Sequence, residues 1–183
     1  MSKYVRVMDG KKSNAGGFEY KLDKINIANL WDPNTMEPDK MGGFNFGTDD
    51  KILRWLHRGD TIYDVDIPAD AEIILCDESK GVYRTNKIIV SNPKKITDDI
   101  VMDLYKKTTS NKILAECLVT LIWKDRIKIS KYIINDRVNK NNVDEFYTEF
   151  INYSSKNNFE NDELKSKYKE LEKEIQNLSE LSE

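Results

Sequence analysis

Residues 60–68, DTIYDVDIP, decide the fold class of this chain. Aspartates alternate here with aromatic and β-branched residues, and Pro68 follows, which is typical of a half-buried strand that a proline ends. Two further strands are predicted directly after it, in residues 71–76 (AEIILC) and 81–90 (GVYRTNKIIV). The dipeptide Asn92-Pro93 is expected to close the last of them, because proline cannot donate to a strand ladder.

The residues before this group extend the prediction of a sheet. Short strands are predicted over residues 3–8 and in residues 43–48 (GFNFGT). Thr48 is expected to cap a helix over residues 49–58, with acids in its first turn and Gly59 as its stop. Residues 1–95 are therefore predicted to form a strand-rich module with one inserted helix.

Residues 96–153 predict a helical region packed on that module. Apolar residues in 113–122 recur as adjacent pairs four positions apart, which is a wide helical stripe. Residues 126–134 (RIKISKYII) fit both strand and helix periodicity, and a helix is favoured. The whole chain is thus predicted to be α+β: a small, mixed, mainly antiparallel sheet followed by a helical half.

The last part of the chain, residues 154–183, has a different pattern. A polar linker, SSKNN, precedes a heptad-like series of apolar residues: Leu164, Tyr168, Leu171, Ile175 and Leu178. Two interpretations stay open, a helix that packs back on the body and a coiled-coil-like helix that mediates weak self-association or binds a partner. Truncation after Tyr153 is predicted to leave a folded body, because the tail holds few apolar residues.

Composition narrows the function classes. The 183 residues carry a net charge of −3, so there is no basic excess to neutralise phosphates, and the short pairs Lys94-Lys95 and Lys106-Lys107 argue only weakly for nucleic acid. The first residues contain no apolar signal region, and no stretch approaches the length of a membrane span. We expect a cytoplasmic protein without a membrane partner, in which Cys76 and Cys117 stay reduced.

Few residues indicate a metal site or a catalytic base. The single histidine, His57, lies at a predicted helix end, where a capping role is favoured over a catalytic one. Asp60, Asp64 and Asp66 could bind a divalent cation, but a solvated face is the commoner outcome of such a pattern. No metal site is predicted, and the phosphate-binding glycine motifs are absent from the sequence.

A first strand that ends near a glycine, followed by GFNFGT, IYDVDIP and GVYRTNKIIV, resembles the split sheet of ADP-ribosyltransferases over about residues 3–107. The same region is similar to small proteins of firmicutes and their phages. The resemblance implies NAD as cofactor, gripped by Arg6, with Asn45 and the adjacent Phe46 at the nicotinamide position. Asn45 departs from the family, which has a stacking tyrosine there.

The resemblance also implies a catalytic glutamate on a later strand, for which Glu72 and Glu78 are candidates. A further candidate comes from the residues themselves. Arg84 at the start of a strand could grip a phosphate or a carboxylate in a bidentate manner. The alternative is that this segment only supplies a strand to the core.

Two functions follow from these observations. The first is a non-enzymatic protein-interaction module without a cofactor, and the phage resemblance implies one specific version, an inhibitor or modulator of a host or defence factor. The second is an NAD-dependent ADP-ribosyltransferase or glycohydrolase. The first is favoured, because the sequence lacks a recognisable catalytic set.

Overall fold

The computed structural model describes residues 2–13, 17–156 and 161–180, and it confirms the predicted α+β class. The chain forms two compact units. One unit comprises Met1–Ile52 and Arg58–Thr97 and holds the sheet. The other comprises Leu53–His57 and Asp98–Glu183 and is helical.

Seven strands form the sheet of the first unit. Their bounds are β1 Tyr4–Met8, β2 Ile25–Ile27, β3 Phe44–Thr48, β4 Thr61–Asp66, β5 Ile73–Asp77, β6 Val82–Thr85 and β7 Lys87–Lys95. Their spatial order is β2-β7-β4-β1-β3-β6-β5, and each neighbouring pair is antiparallel. Strands β2 and β5 are therefore the two edges of the sheet.

The predicted strand over residues 81–90 is in fact two strands, β6 and β7, and Asn92-Pro93 does not end the second one. The reason is a bulge. Ser91 pairs with Asp64, and Lys94 pairs with Ile62, so Asn92 and Pro93 together face a single residue of β4. A bulge leaves one residue out of the ladder, so a proline is tolerated there and pairing continues to Lys95.

The inserted helix also differs from the prediction. It is a 3-10 helix, Ile52–Arg58, which follows Lys51 without a side-chain cap. Thr48 is instead the last residue of β3 and caps nothing. A second short helix, α1 (Pro38–Met41), begins with a proline, which suits the first turn of a helix.

An aromatic cluster fills one face of the sheet. Tyr20 and Phe18 cover this face, and their rings lie 4.9 to 5.4 Å from the ring of Phe44. The buried members of the cluster are Met8, Tyr20, Phe44, Phe46, Tyr63, Val65, Ile88 and Val90. Burial of such large side chains is the main favourable term that holds the strands together.

Five α-helices follow in the second unit. Their bounds are α2 Asp98–Lys107, α3 Asn111–Trp123, α4 Ile127–Arg137, α5 Val143–Ser155 and α6 Asp162–Glu180. Helix α3 is buried from Ile113 to Ile122 and contacts α4, α5 and α6. The segment that fitted both periodicities is helical, as favoured. No helix in the described ranges has the length and apolar character that a membrane crossing requires.

Helix α6 packs on helices of its own chain. Leu171 and Ile175 are fully buried, and the ring of Tyr168 stacks on Phe150 at 4.9 Å between centroids. The apolar series of this helix therefore faces the same chain, and the structure gives the coiled-coil interpretation no support. Of the predicted linker, residues 154 and 155 belong to α5, whereas residues 157 and 158 lie outside the described residues.

A hydrogen-bonded tyrosine connects α2 with α4. The hydroxyl of Tyr105 donates to the carboxylate of Asp136 and accepts a hydrogen bond from Arg137 Nε at 2.8 Å. Burial and the bond to Asp136 raise the pKa of Tyr105 to about 12, because both disfavour the phenolate.

Tyr105→Phe is expected to lower the free energy of unfolding by about 1–2 kcal/mol near neutral pH, because two hydrogen bonds to charged groups are lost. An unfolded tyrosine ionises near pH 10. The difference in unfolding free energy between the native chain and the variant should therefore become smaller as pH rises from about 10 towards 12. Urea unfolding at several pH values measures this difference. Tyr132→Phe, at a half-exposed position, is the control. If the difference in unfolding free energy between the native chain and Tyr105→Phe grows as pH rises, the raised pKa of Tyr105 is contradicted.

Candidate functional site

The structure brings Arg6 and Asn45, two of the predicted ligand residues, into contact. Arg6 Nη1 donates to both the main-chain oxygen and Oδ1 of Asn45. Its Nη2 donates to Ser13 Oγ at 3.3 Å, and its guanidinium lies 5.1 Å from the centre of the Tyr20 ring. The antiparallel pairing of β1 with β3 produces this contact, which joins residues 39 positions apart.

Arg6 is a buried cation. The side chain is 8% exposed, and among the described residues its Nε has no hydrogen-bond partner. Burial lowers the pKa of Arg6, and the charges of Arg58 and Arg84 lower it further, although Tyr20 acts in the opposite direction. This arrangement can offer positive charge to an anion, but most of its donors are already used within the protein.

The other two predicted ligand residues have structural contacts. Arg84 Nη1 donates to the main-chain oxygens of Pro38 and Gly42, at 2.7 and 2.6 Å, and so satisfies carbonyl groups of helix α1. Phe46 is buried, and its ring stacks on Tyr83 with 5.4 Å between centroids. Phe46 therefore presents no open ring face to a ligand.

Glu72 and Glu78, the two predicted catalytic acids, flank strand β5. At about 3.3 Å per residue, their α-carbons are about 20 Å apart along the chain. Glu72 Oε2 accepts a hydrogen bond from Trp31 Nε1 at 2.6 Å, whereas the main-chain oxygen of Glu78 accepts one from Lys51 Nζ at 2.6 Å. Each acid is therefore a separate candidate for the single glutamate that the resemblance implies, and the carboxylate of Glu72 is already bound within the chain.

The carboxylates of β4 bind neighbouring side chains. Asp60 forms an ion pair with Lys95, and hydrogen bonds from Lys95 and Thr61 lower the pKa of Asp60 to about 2. Asp64 accepts a hydrogen bond from Asn92 Nδ2 at 2.8 Å. Within the described residues, no three His, Cys, Asp or Glu side chains are grouped so that they could hold a metal ion.

His57 and the cysteines occupy separate places. His57 Nδ1 lies 3.1 Å from the main-chain oxygen of Arg54, and its ring meets Trp123 edge-on at 5.4 Å. Both cysteines are free thiols, and burial raises the pKa of Cys117 and of Cys76. A raised pKa keeps a thiol protonated and therefore a poor nucleophile.

The edges of the sheet are a candidate binding feature that the sequence does not reveal. On β5, Ile73 and Leu75 are 45% and 44% exposed, and on β2, Ile25 and Ile27 are 52% and 61% exposed. Within the residues that the structure describes, the β5 edge, residues 72–78, and the β2 edge, residues 24–28, each lack a strand on their outer side. The strand at residues 71–76 was predicted and β2 was not, but only the strand order reveals that both segments are edges.

Acidic residues surround the β5 edge. Glu72 and Glu78 flank the strand, and Asp77 ends it. Burial alone would raise the pKa of Asp77, but hydrogen bonds from Ser79 and Lys80 outweigh it and lower this pKa to about 2. Asp77 is therefore ionised at neutral pH, and it forms an ion pair with Lys80 at 3.1 Å. The edge combines exposed apolar side chains with acidic residues at its ends, of which Asp77 already has a cationic partner.

The chain matches no protein-family model, no curated protein and no solved structure. Its function is therefore argued from the geometry above.

Proposed function

We propose that this chain is a non-enzymatic protein-binding module whose β5 edge accepts an extended segment of a partner protein as an additional strand. The observation that carries the proposal is the state of β5. In the described part of the chain it is the last strand of the sheet, it exposes Ile73 and Leu75, and it contains neither proline nor lysine. Its pairing with β6 is regular from Ile73 to Leu75, and the one irregularity lies beyond them, between Leu75 and Asp77. Proteins usually protect such an edge, because its unpaired main-chain groups readily bind another strand.

Strand addition suits the chemistry of this edge. Main-chain hydrogen bonds supply affinity, and alternate side chains supply specificity. The carboxylates of Glu72 and Glu78, one at each end of the strand, favour a partner segment that has lysine or arginine beside its apolar residues.

A second copy of β5 fits this edge poorly. Antiparallel pairing centred on Leu75 would place Glu72 opposite Glu78 at both ends, and like charges directly opposite each other destabilise a pair of strands. The occupant that fits best is therefore a basic, extended segment of another protein.

A module of this kind acts by binding an extended segment of its partner. That action is the one expected of an inhibitor or modulator in the cytoplasm, and the resemblance to phage proteins implies a host or defence factor as the partner.

Binding of a labelled peptide, KVTITVTK, to the full chain tests the proposal by fluorescence anisotropy. We expect saturable binding that Leu75→Asn weakens about tenfold or more, because burial of a leucine contributes about 1.5–3 kcal/mol. Replacing both peptide lysines with glutamate should also weaken binding. Ile27→Asn, on the β2 edge, is the matched control and should bind as the native chain does.

Two results would overturn the proposal. One is the absence of saturable binding at millimolar peptide, and the other is equal binding by the Leu75→Asn and Ile27→Asn variants. Circular dichroism of both variants establishes that each retains its sheet.

The alternative function, NAD-dependent ADP-ribosyl transfer or glycohydrolysis, draws on the contact between Arg6 and Asn45. Two observations speak against it: Phe46 offers no open face to nicotinamide, and the carboxylate of Glu72 is already bound by Trp31. Incubation with NAD separates the two functions. Turnover that Glu72→Gln or Glu78→Gln abolishes would establish the enzyme and refute the non-enzymatic assignment.

A further inference from the structure

We propose that two copies of this chain associate through their β2 edges, pairing the two β2 strands antiparallel to each other about a twofold axis. This inference concerns the other end of the sheet and does not depend on the β5 edge. In the part of the chain that the structure describes, strand β2 has β7 on one side and no strand on the other. Its Ile25 and Ile27 are more exposed than the apolar residues of β5.

The register of this pairing follows from the sequence of β2. With Asn26 opposite Asn26 of the second copy, each Ile25 faces an Ile27, and each Lys24 faces an Ala28. Apolar β-branched residues thus meet twice, and no like charges lie directly opposite each other. Such cross-strand pairs are the units that stabilise a sheet.

The faces of the two sheets also agree. A twofold axis perpendicular to the sheet keeps the same face of both copies on the same side. Ile25 pairs with Ile89 of β7, so Ile25, Ile27 and Ile89 lie on one face of the sheet. Their counterparts in the second copy would continue this apolar row across the axis.

Hydrogen bonds of the Asn26 side chain order the β2 edge before association. This side chain is buried on the opposite face, where Nδ2 donates to the main-chain oxygens of Lys21 and Lys24 at 2.9 and 3.0 Å, and Oδ1 accepts from Lys21 N at 2.8 Å. These bonds help to fix a short strand whose hydrogen-bonded neighbour in the described sheet is β7. An edge that is ordered before association loses less conformational entropy when it binds.

A head-to-tail contact, β2 of one copy on β5 of the next, is less suitable. Antiparallel pairing of Ile25 with Leu75 and of Ile27 with Ile73 would place Asp23 opposite Asp77. It would also leave one free edge at each end, so that copies would add without limit. The pairing of β2 with β2 closes at two copies.

Sedimentation velocity of the full chain over a wide range of concentrations tests this inference. We expect weak association, because each strand contributes only three residues to the pairing. The chain should be a single copy in dilute solution, and its average mass should rise towards that of two copies as concentration increases. Ile27→Lys should abolish this rise, whereas Leu75→Asn, on the far edge, should leave it unchanged.

A charge-reversal pair tests the register. Ile25→Glu alone should weaken association, but a mixture of the Ile25→Glu and Ile27→Lys chains should associate again, because Glu and Lys would then lie directly opposite each other. This rescue also shows that the variants are folded.

Three outcomes would overturn the inference. These are a single copy at every concentration, association that Ile27→Lys leaves intact, and growth beyond two copies that Leu75→Asn abolishes. The last outcome would assign the head-to-tail contact instead.

Discussion

Glu116→Leu is expected to lower the free energy of unfolding by about 3–5 kcal/mol, because it leaves a buried charge without its partner. Arg54 and Glu116 are only 6% and 4% exposed, and Arg54 Nε forms an ion pair with Glu116 Oε2. The guanidinium also lies 4.7 Å from the ring centre of Trp55 and 5.7 Å from that of Tyr153. Neither ring supplies the full negative charge that the carboxylate provides. Urea unfolding followed by helical circular dichroism measures the loss.

Two controls define this effect. Arg54→Met combined with Glu116→Leu should recover most of the lost stability, because apolar residues of similar volume replace a buried ion pair at little cost. Glu163→Leu removes an exposed partner of Lys167 and should change the unfolding free energy by less than about 1 kcal/mol. If the double variant is no more stable than Glu116→Leu alone, the unpaired charge is not the cause.

Leu171→Ala is expected to lower the free energy of unfolding by about 2–5 kcal/mol, the range found when a fully buried leucine is cut back. Leu171 is buried within its own chain, where α6 packs on α3, α4 and α5. The melting temperature of the variant should therefore be independent of protein concentration. Thermal unfolding at two concentrations measures both effects.

Leu164→Ala, one heptad earlier in α6, is the matched control. Leu164 is only partly buried, so its truncation should cost clearly less than that of Leu171. Equal losses at both positions, together with a melting temperature that rises with concentration, would instead indicate a helix that pairs between chains.

The same burial changes the expectation for the truncated chain. From the sequence, truncation after Tyr153 is predicted to leave a folded body, because the tail holds few apolar residues. The apolar residues of the tail are few, but two of them, Leu171 and Ile175, are fully buried, and Tyr168 stacks on Phe150. Their removal would expose apolar surface of α3, α4 and α5, so we now expect the truncated chain to be less stable.

The predictable parts of the fold are those that local patterns determine. Strand β4 was found because apolar and polar residues alternate in it, and α3 was found from its apolar stripe. The separation of β6 from β7 was not found, because the bulge that accommodates Pro93 depends on pairing with β4. The 3-10 geometry of Ile52–Arg58 was not predicted either, because the sequence pattern of this segment also suits an α-helix.

The candidate site was harder to predict than the fold. Contact between Arg6 and Asn45 depends on which strands are neighbours, and no local signal specifies that order. Strand β2 has only three residues, too few for periodicity to indicate a strand. The exposed isoleucines of β2 become informative only when the strand order places them at an edge.

The make-up of the helical unit has a consequence for synthesis on the ribosome. Leu53–His57 is translated long before the rest of that unit, and it contributes the fully buried Leu53 and Leu56 as well as Arg54. These side chains cannot be enclosed until Glu116 and the later helices have been synthesised. By that point more than half of the whole chain has been made. A nascent chain that stalls in this interval would expose two leucines and an arginine whose counter-ion has not yet been made, which is the kind of intermediate that chaperones bind.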